Sequence, residues 1–234
     1  TNVRMSFKIG VLLSGNGVYD GSEIHESVLT LLAIDENRGQ ALCFAPNINQ
    51  HHVVNHLSGN EMNEQRNVLI EAARIARGAI TDLAEVTSAS LDALVVPGGF
   101  GAAKNLTKWA FSGPEGEINQ QVKRIITEMV QSKKPIVGLC MGPTVIAKAL
   151  EDTGLKQHLT VGTTKETSPY EIDAISAGME KIGAVVEMKT IKEISIDVEN
   201  RIISAPCYMM EGSITDVRDN IKQAIDELFE MLEA

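Results

Sequence analysis

Aromatic side chains are scarce. Phe, Trp and Tyr together make up 4% of the 234 residues, too little ring surface for a base-stacking platform. Positive charge is also in deficit. The 21 Lys and Arg residues face 31 Asp and Glu, a formal net charge of −10, and an acidic surface repels phosphate backbones and anionic lipid. Neither a nucleic-acid partner nor a membrane surface is expected. Cysteine is sparse too. Cys43, Cys140 and Cys207 are odd in number and lack metal-ligand spacing, which excludes a disulfide scaffold and points to a reducing compartment, read as the cytoplasm. No apolar run approaches the ~20 residues that cross a bilayer, and TNVRMSFKIG contains no signal-peptide core. Residues 1–6 read as a disordered leader ahead of the domain, with Met5 as a natural start.

What is present is ordinary globular composition, 44% apolar and 22% charged, in a chain long enough to bury a core without disulfides or metal. No proline-rich linker, low-complexity run or internal repeat divides it, so residues 1–234 are expected to form one domain. Short apolar runs alternate with amphipathic stretches. Strands are predicted over Phe7–Ser14, Gln40–Pro46, Leu91–Gly99, Pro135–Cys140 and Leu159–Gly162. Helices are predicted over Ser22–Asn37, Glu64–Arg77, Glu117–Ser132, from Met141 through AKAL, over Pro169–Ile182 and over Ile214–Leu232. Segments near Glu193–Val198 and Arg201–Ser204 flank Glu199-Asn200 as a hairpin. Strands alternating with helices imply an α/β three-layer sandwich, a mostly parallel sheet with helices on both faces. In such sheets ligands bind outside the carboxyl ends of the strands. Chemistry is therefore expected at Ser14–Gly21, Pro97–Gly101 and Cys140–Pro143.

The first of these, SGNGVYDGSE, follows a strand and opens a helix. Its Gly15-x-Gly17-x-x-x-Gly21 spacing is one residue too long for a dinucleotide fingerprint, and CFAP at the second strand's tip offers no acid for a ribose. It reads as a turn, and no cofactor is expected. The loop leads Glu23 and Glu26 into the start of the helix. Such acids suit the helix dipole, but residues three apart share a face. Crowding or burial there would raise one carboxyl pKa and make it a proton carrier.

KKPIVGLCMGPTVIAKAL holds the strongest signal. Gly138-Leu139-Cys140-Met141-Gly142 is G-x-C-x-G, the thiol counterpart of the G-x-S-x-G nucleophile elbow. A sharp turn there projects the sulfur into the crevice, and a helix N-terminus lowers a thiol pKa. Cys43, inside a strand, reads as a small buried hydrophobe. Cys207, in SAPCYMM, lies near the crevice with nothing to equip it as a nucleophile. Attack by Cys140 on a carbonyl needs oxyanion donors. The Met141 amide is one, and the Pro97-Gly98-Gly99 turn can supply others.

SGNGVYDGSEIHE, VVPGGFGAAKNL and the Cys140 elbow together resemble the PfpI superfamily, which is class I glutamine-amidotransferase-like, and more closely its isoprenoid-biosynthesis glyoxalase (ElbB) branch. The resemblance spans Lys8 to the C-terminal helix. It implies a flavodoxin-like sandwich, a cytosolic homodimer and cofactor-free, metal-free glyoxalase activity on small 2-oxoaldehydes. It maps the nucleophile onto Cys140, the acid/base onto Glu26 in EIHESV with Glu23 as the alternative, and the oxyanion donors onto Gly98, Gly99 and Met141. The sequence itself shows no obvious apolar stripe for a dimer. Many superfamily members carry a histidine just after the strand that follows the elbow helix. Here LTVGTTKE places Gly162 and Thr163 there. His158 lies upstream, His25 is about 100° around its helix from Glu26, and His51, His52 and His56 read as solvated. A Cys140–Glu26 dyad is thus favoured over a Cys-His-acid triad. The alternatives are a redox-sensing interaction protein using the same thiol and an amidotransferase-type hydrolase.

Overall fold

The computed structural model describes residues 6–234. Except for Ser6, whose hydroxyl donates to Arg38 O at 2.8 Å, the expected leader lies outside the described residues. The chain runs β1 (Lys8–Leu12), α1 (Ile24–Glu36), β2 (Gln40–Ala45), α2 (Val68–Ile75), β3 (Ile80–Asp82), β4 (Ala93–Val96), α3 (Trp109–Ser112) and α4 (Gln120–Gln131). It continues through β5 (Ile136–Leu139), α5 (Gly142–Ala149), β6 (His158–Leu159), α6 (Ile172–Lys181), β7 (Val185–Val186), β8 (Ser195–Asp197), β9 (Ile202–Ala205) and α7 (Ile214–Glu233).

Seven strands form one sheet in the order β3-β2-β1-β4-β5-β9-β8. All pairs are parallel except β8 with β9, the predicted hairpin. The β2-β1-β4-β5-β9 run is flavodoxin-like, extended at each edge by a short strand. β6 and β7 pair separately. The central strands explain themselves: ALVV in β4 and IVGL in β5 are buried along their whole length, as strands covered on both faces must be. α1 packs on α7 and turns Ser27, Thr30, Ala33 and Ile34 inward.

Several elements differ from expectation. α2 starts at Val68, after Asn67 caps it through Ile70 N–H, because Glu64–Arg66 end a polar excursion that follows β2. β3 and β7 are unforeseen; at three and two residues they carry too few side chains to show an alternating pattern. α1 also presents an apolar stripe that the sequence reading missed. Ile24, Val28 and Leu32 are 42%, 47% and 46% exposed, at i, i+4 and i+8. Among the described residues no helix is long and apolar enough to cross a membrane.

The chain leaves β1 towards β2 and β3, then returns to the other side of β1 to form β4. That reversal is a topological switch point, where a crevice opens beyond the strands' carboxyl ends. The loops after β1, β4 and β5 meet there.

Candidate active site

Cys140 follows β5 directly, and Met141 caps α5 with Pro143 in the first turn. Its φ is +58°, the left-handed region, which strains a residue bearing a Cβ. The strain is held by a bond from Cys140 N–H to Ala205 O at 3.0 Å, the next step of the β5–β9 ladder. The thiol is 4% exposed and forms part of the wall of a crevice of about 310 Å³.

Glu26 is fully buried. Its Oε1 accepts from Gly98 N–H at 3.0 Å and its Oε2 from Tyr208 N–H at 3.3 Å. Its carboxyl and the Cys140 thiol meet beside Gly98. Gly98 permits this approach: a methyl there would sit 2.7 Å from Cys140 Sγ and 2.8 Å from Glu26 Oε1. Burial first, and then the charge of Glu23, push Glu26 up to about 8, against bonds from Cys140, Gly98 and Tyr208 that pull it down. At neutral pH this carboxyl holds a proton.

The expected low-pKa thiol is not found. Burial pushes Cys140 well above its ordinary value, with charge on Glu26 and Cys207 acting in the same direction. The Gly99 N–H pulls the other way, as does the N-terminus of α5, and burial outweighs both. The resting pair is a neutral thiol beside a neutral carboxyl.

Glu23 has a different position. It is the N-cap of α1, its Oε2 accepting from Glu26 N–H at 2.7 Å, while part of the side chain reaches the crevice wall. Burial raises its pKa. Gly99, at φ +94°, turns its amide to the sulfur. Gly98 does not offer an oxyanion donor as expected, because its N–H is committed to Glu26. Met141, on the crevice wall, has an N–H with no protein acceptor among the described residues.

The Gly-rich loop after β1 folds on itself. Gly17 N–H donates to Ser22 O, Gly21 N–H to Gly17 O, and the Asn105 amide clips Ser14 O and Asp20 O. Those two loop amides are spent on the turn, so they offer a phosphate nothing. Cys43 is a strand residue whose buried thiol is pushed up to about 11. Cys207 is fully buried at φ +48°, close to the Cys140 backbone. No histidine forms part of the crevice wall. His25 instead bonds Tyr208 Oη at 2.7 Å, and Gly162 packs against Met210.

The sequence reading missed the aromatic wall. Phe100, Trp109, Tyr170 and Tyr208 are four of the chain's one Trp, three Tyr and five Phe. They come from four separate segments, so no local motif announces them. Burial pushes the Tyr170 phenol up to about 12, so it stays neutral.

A flavodoxin-like sheet with a strained cysteine at a strand-to-helix elbow defines the class I glutamine-amidotransferase-like architecture. Comparison with known proteins agrees. The chain is 37% identical over 232 residues to the human glutamine amidotransferase-like class 1 domain-containing protein 3, mitochondrial, covering 97% of this chain and 84% of that one. It is 36% identical to the rat ES1 protein homolog, mitochondrial, over 97% and 85% of the two chains. The crystal structure of an isoprenoid biosynthesis protein with amidotransferase-like domain from Ehrlichia chaffeensis superposes with a TM-score of 0.88 at 34% identity, covering 97% of this chain and all of that one. No family model matches the chain. The chain belongs to the glutamine amidotransferase-like class 1 domain family that includes the ES1 proteins.

Proposed function

We propose that this protein is a cofactor-independent glyoxalase of the isoprenoid-biosynthesis (ElbB) branch of its family, converting small 2-oxoaldehydes to 2-hydroxy acids. One observation carries the reading: the Cys140 sulfur and the carboxyl of Glu26, which burial pushes up to about 8, face the same point beside Gly98. Nucleophile and proton carrier are thus a single unit.

The steps follow from that pair. The Cys140 S–H adds across the aldehyde carbonyl; a C–S bond forms and the thiol proton ends on the aldehyde oxygen. Met141 N–H steadies the oxyanion as it develops. Glu26 as carboxylate takes the C–H proton of the hemithioacetal carbon, and the electron pair forms an enediolate with the neighbouring carbon, whose oxygen takes over the proton of the first carbon's hydroxyl. Glu26 returns the proton to that second carbon. The first carbon has been oxidised to a thioester and the second reduced to an alcohol. Water cleaves the thioester and frees the thiol. Glyoxal plus water becomes glycolate, with no external oxidant or reductant.

An amidotransferase-type hydrolase is a weaker reading. A glutamine substrate brings a carboxylate, and among the described residues no Lys, Arg or His forms part of the crevice wall to meet it. Redox sensing needs peroxide to reach the same thiol and is the second reading; the burial of Cys140 disfavours it, because thiolate character controls oxidation. Three unpaired cysteines suit a reducing compartment, cytosolic or mitochondrial. The outer face of α1, with Ile24, Val28 and Leu32, is the surface we assign to a homodimer. The function is tested with Glu26→Gln: turnover of glyoxal should fall by about 10²-fold or more while Cys140 stays alkylatable. Wild-type turnover in that variant overturns the dyad.

A further inference from the structure

The crevice is far larger and more apolar than glyoxal requires. It holds about 310 Å³, space for roughly ten waters at about 30 Å³ each. An apolar cavity of about 150 Å³ already accepts benzene. Cys140, Gly99 and Met141 form part of its wall. The rest of the wall includes Phe100, Trp109, Pro114, Tyr170 and Ile175, with the exposed Ala174 also on it. The one carboxyl on the wall is Glu23, and among the described residues no Lys, Arg or His joins it; the Lys104 ammonium, 5.3 Å from the Phe100 ring centroid, donates to Tyr19 O. A carboxylate or phosphate on the ligand would meet Glu23 and no cation on the wall itself. A strongly hydrated dialdehyde would leave most of this volume to water with few polar partners, the situation in which an apolar group gains by displacing it.

We infer that the crevice selects neutral substrates carrying a ring-sized apolar substituent, so that, given the glyoxalase reading on which this rests, the preferred substrate is an aryl- or bulky alkyl-substituted 2-oxoaldehyde. The aldehyde carbon lies at Cys140 and the substituent lies among Phe100, Trp109 and Tyr170. Ring packing against these faces adds to simple burial.

The test uses two readouts on the whole protein. The first is kcat/KM for glyoxal, methylglyoxal and phenylglyoxal. Phenylglyoxal is expected to exceed methylglyoxal by about tenfold or more, since even one methylene in an apolar pocket discriminates about 10-fold or better. Ala174→Phe, which adds a ring to the crevice wall, should lower the ratio of phenylglyoxal to glyoxal kcat/KM by about tenfold. The second readout needs no chemistry. The chain has a single tryptophan, Trp109, and it forms part of the crevice wall, so its fluorescence reports occupancy. Cyclohexyl methyl ketone, which has no aldehyde, should shift it saturably. Turnover of all three aldehydes with flat or falling kcat/KM, and no response to the ketone, overturns the inference and leaves the glyoxalase reading standing. A saturable response to the ketone with no aldehyde turned over supports the apolar selection and overturns the glyoxalase reading.

Discussion

Replacing Glu26 by Gln swaps a buried, proton-holding carboxyl for an amide of the same shape. Gly98 N–H and Tyr208 N–H both point at its oxygens. The amide oxygen satisfies one, and the other then faces an NH₂ group, which costs roughly 1–3 kcal/mol at every pH. A second effect depends on pH. The wild-type carboxyl titrates at about 8 when folded and near 4.5 when unfolded. Because the folded pKa is the higher, the folded state holds an extra proton between those values. Its contribution is fully present below pH 4.5 and is lost as pH rises through 8. The gap from 4.5 to about 8, at about 1.4 kcal/mol per pH unit, comes to about 5 kcal/mol. Gln has no such dependence. Urea unfolding of both proteins at several pH values from 4.5 to 8.5 isolates the difference. Wild type should be the more stable at pH 4.5 and the variant at pH 8.5, with a swing of about 5 kcal/mol. A difference that stays constant within about 1 kcal/mol would refute the claim that Glu26 is a high-pKa carboxyl.

Turnover of glyoxal should rise with pH through about 8 as Glu26 becomes a base, with no falling limb until the raised Cys140 thiol ionises; a kcat/KM profile flat from pH 6 to 9 would count against the pair. Gly98→Ala places a methyl 2.4 Å from Cys140 Cβ, so the variant should lose about 1–3 kcal/mol in thermal or urea unfolding and nearly all activity. Glu23→Gln weakens the α1 cap by roughly 0.5–2 kcal/mol and should reduce turnover less than Glu26→Gln does; the reverse order in steady-state assays would exchange their roles. Val28→Glu on the exposed face of α1 should halve the mass measured by light scattering, and a wild-type mass near 25.3 kDa at micromolar concentration would remove the dimer.

Much of the frame is legible in the sequence because it rests on local patterns. VLL, ALVV and IVGL are continuous apolar runs, and a parallel central sheet needs them. G-x-C-x-G marks the elbow because the chain must turn sharply there, and Cys140 at φ +58° is that turn. What escaped depends on contacts between distant segments. The raised thiol pKa is not legible because a helix N-terminus is visible in sequence and burial is not. Gly98 reads as an oxyanion donor in sequence because only the fold reveals that Glu26, 72 residues earlier, claims its amide. The same limit hid Phe100, Trp109, Tyr170 and Tyr208, and the polar stretch after β2 hid the true start of α2.

If Cys140 forms the covalent intermediate in glyoxal conversion, removing its sulfur abolishes the reaction. Glycolate is followed by NMR as glyoxal is consumed by wild type and by Cys140→Ser at equal concentration. Wild type should make glycolate steadily and the variant none above the uncatalysed rate, because a serine hydroxyl is a far weaker nucleophile than a thiol. Equal glycolate production by the two proteins would contradict a covalent role for Cys140.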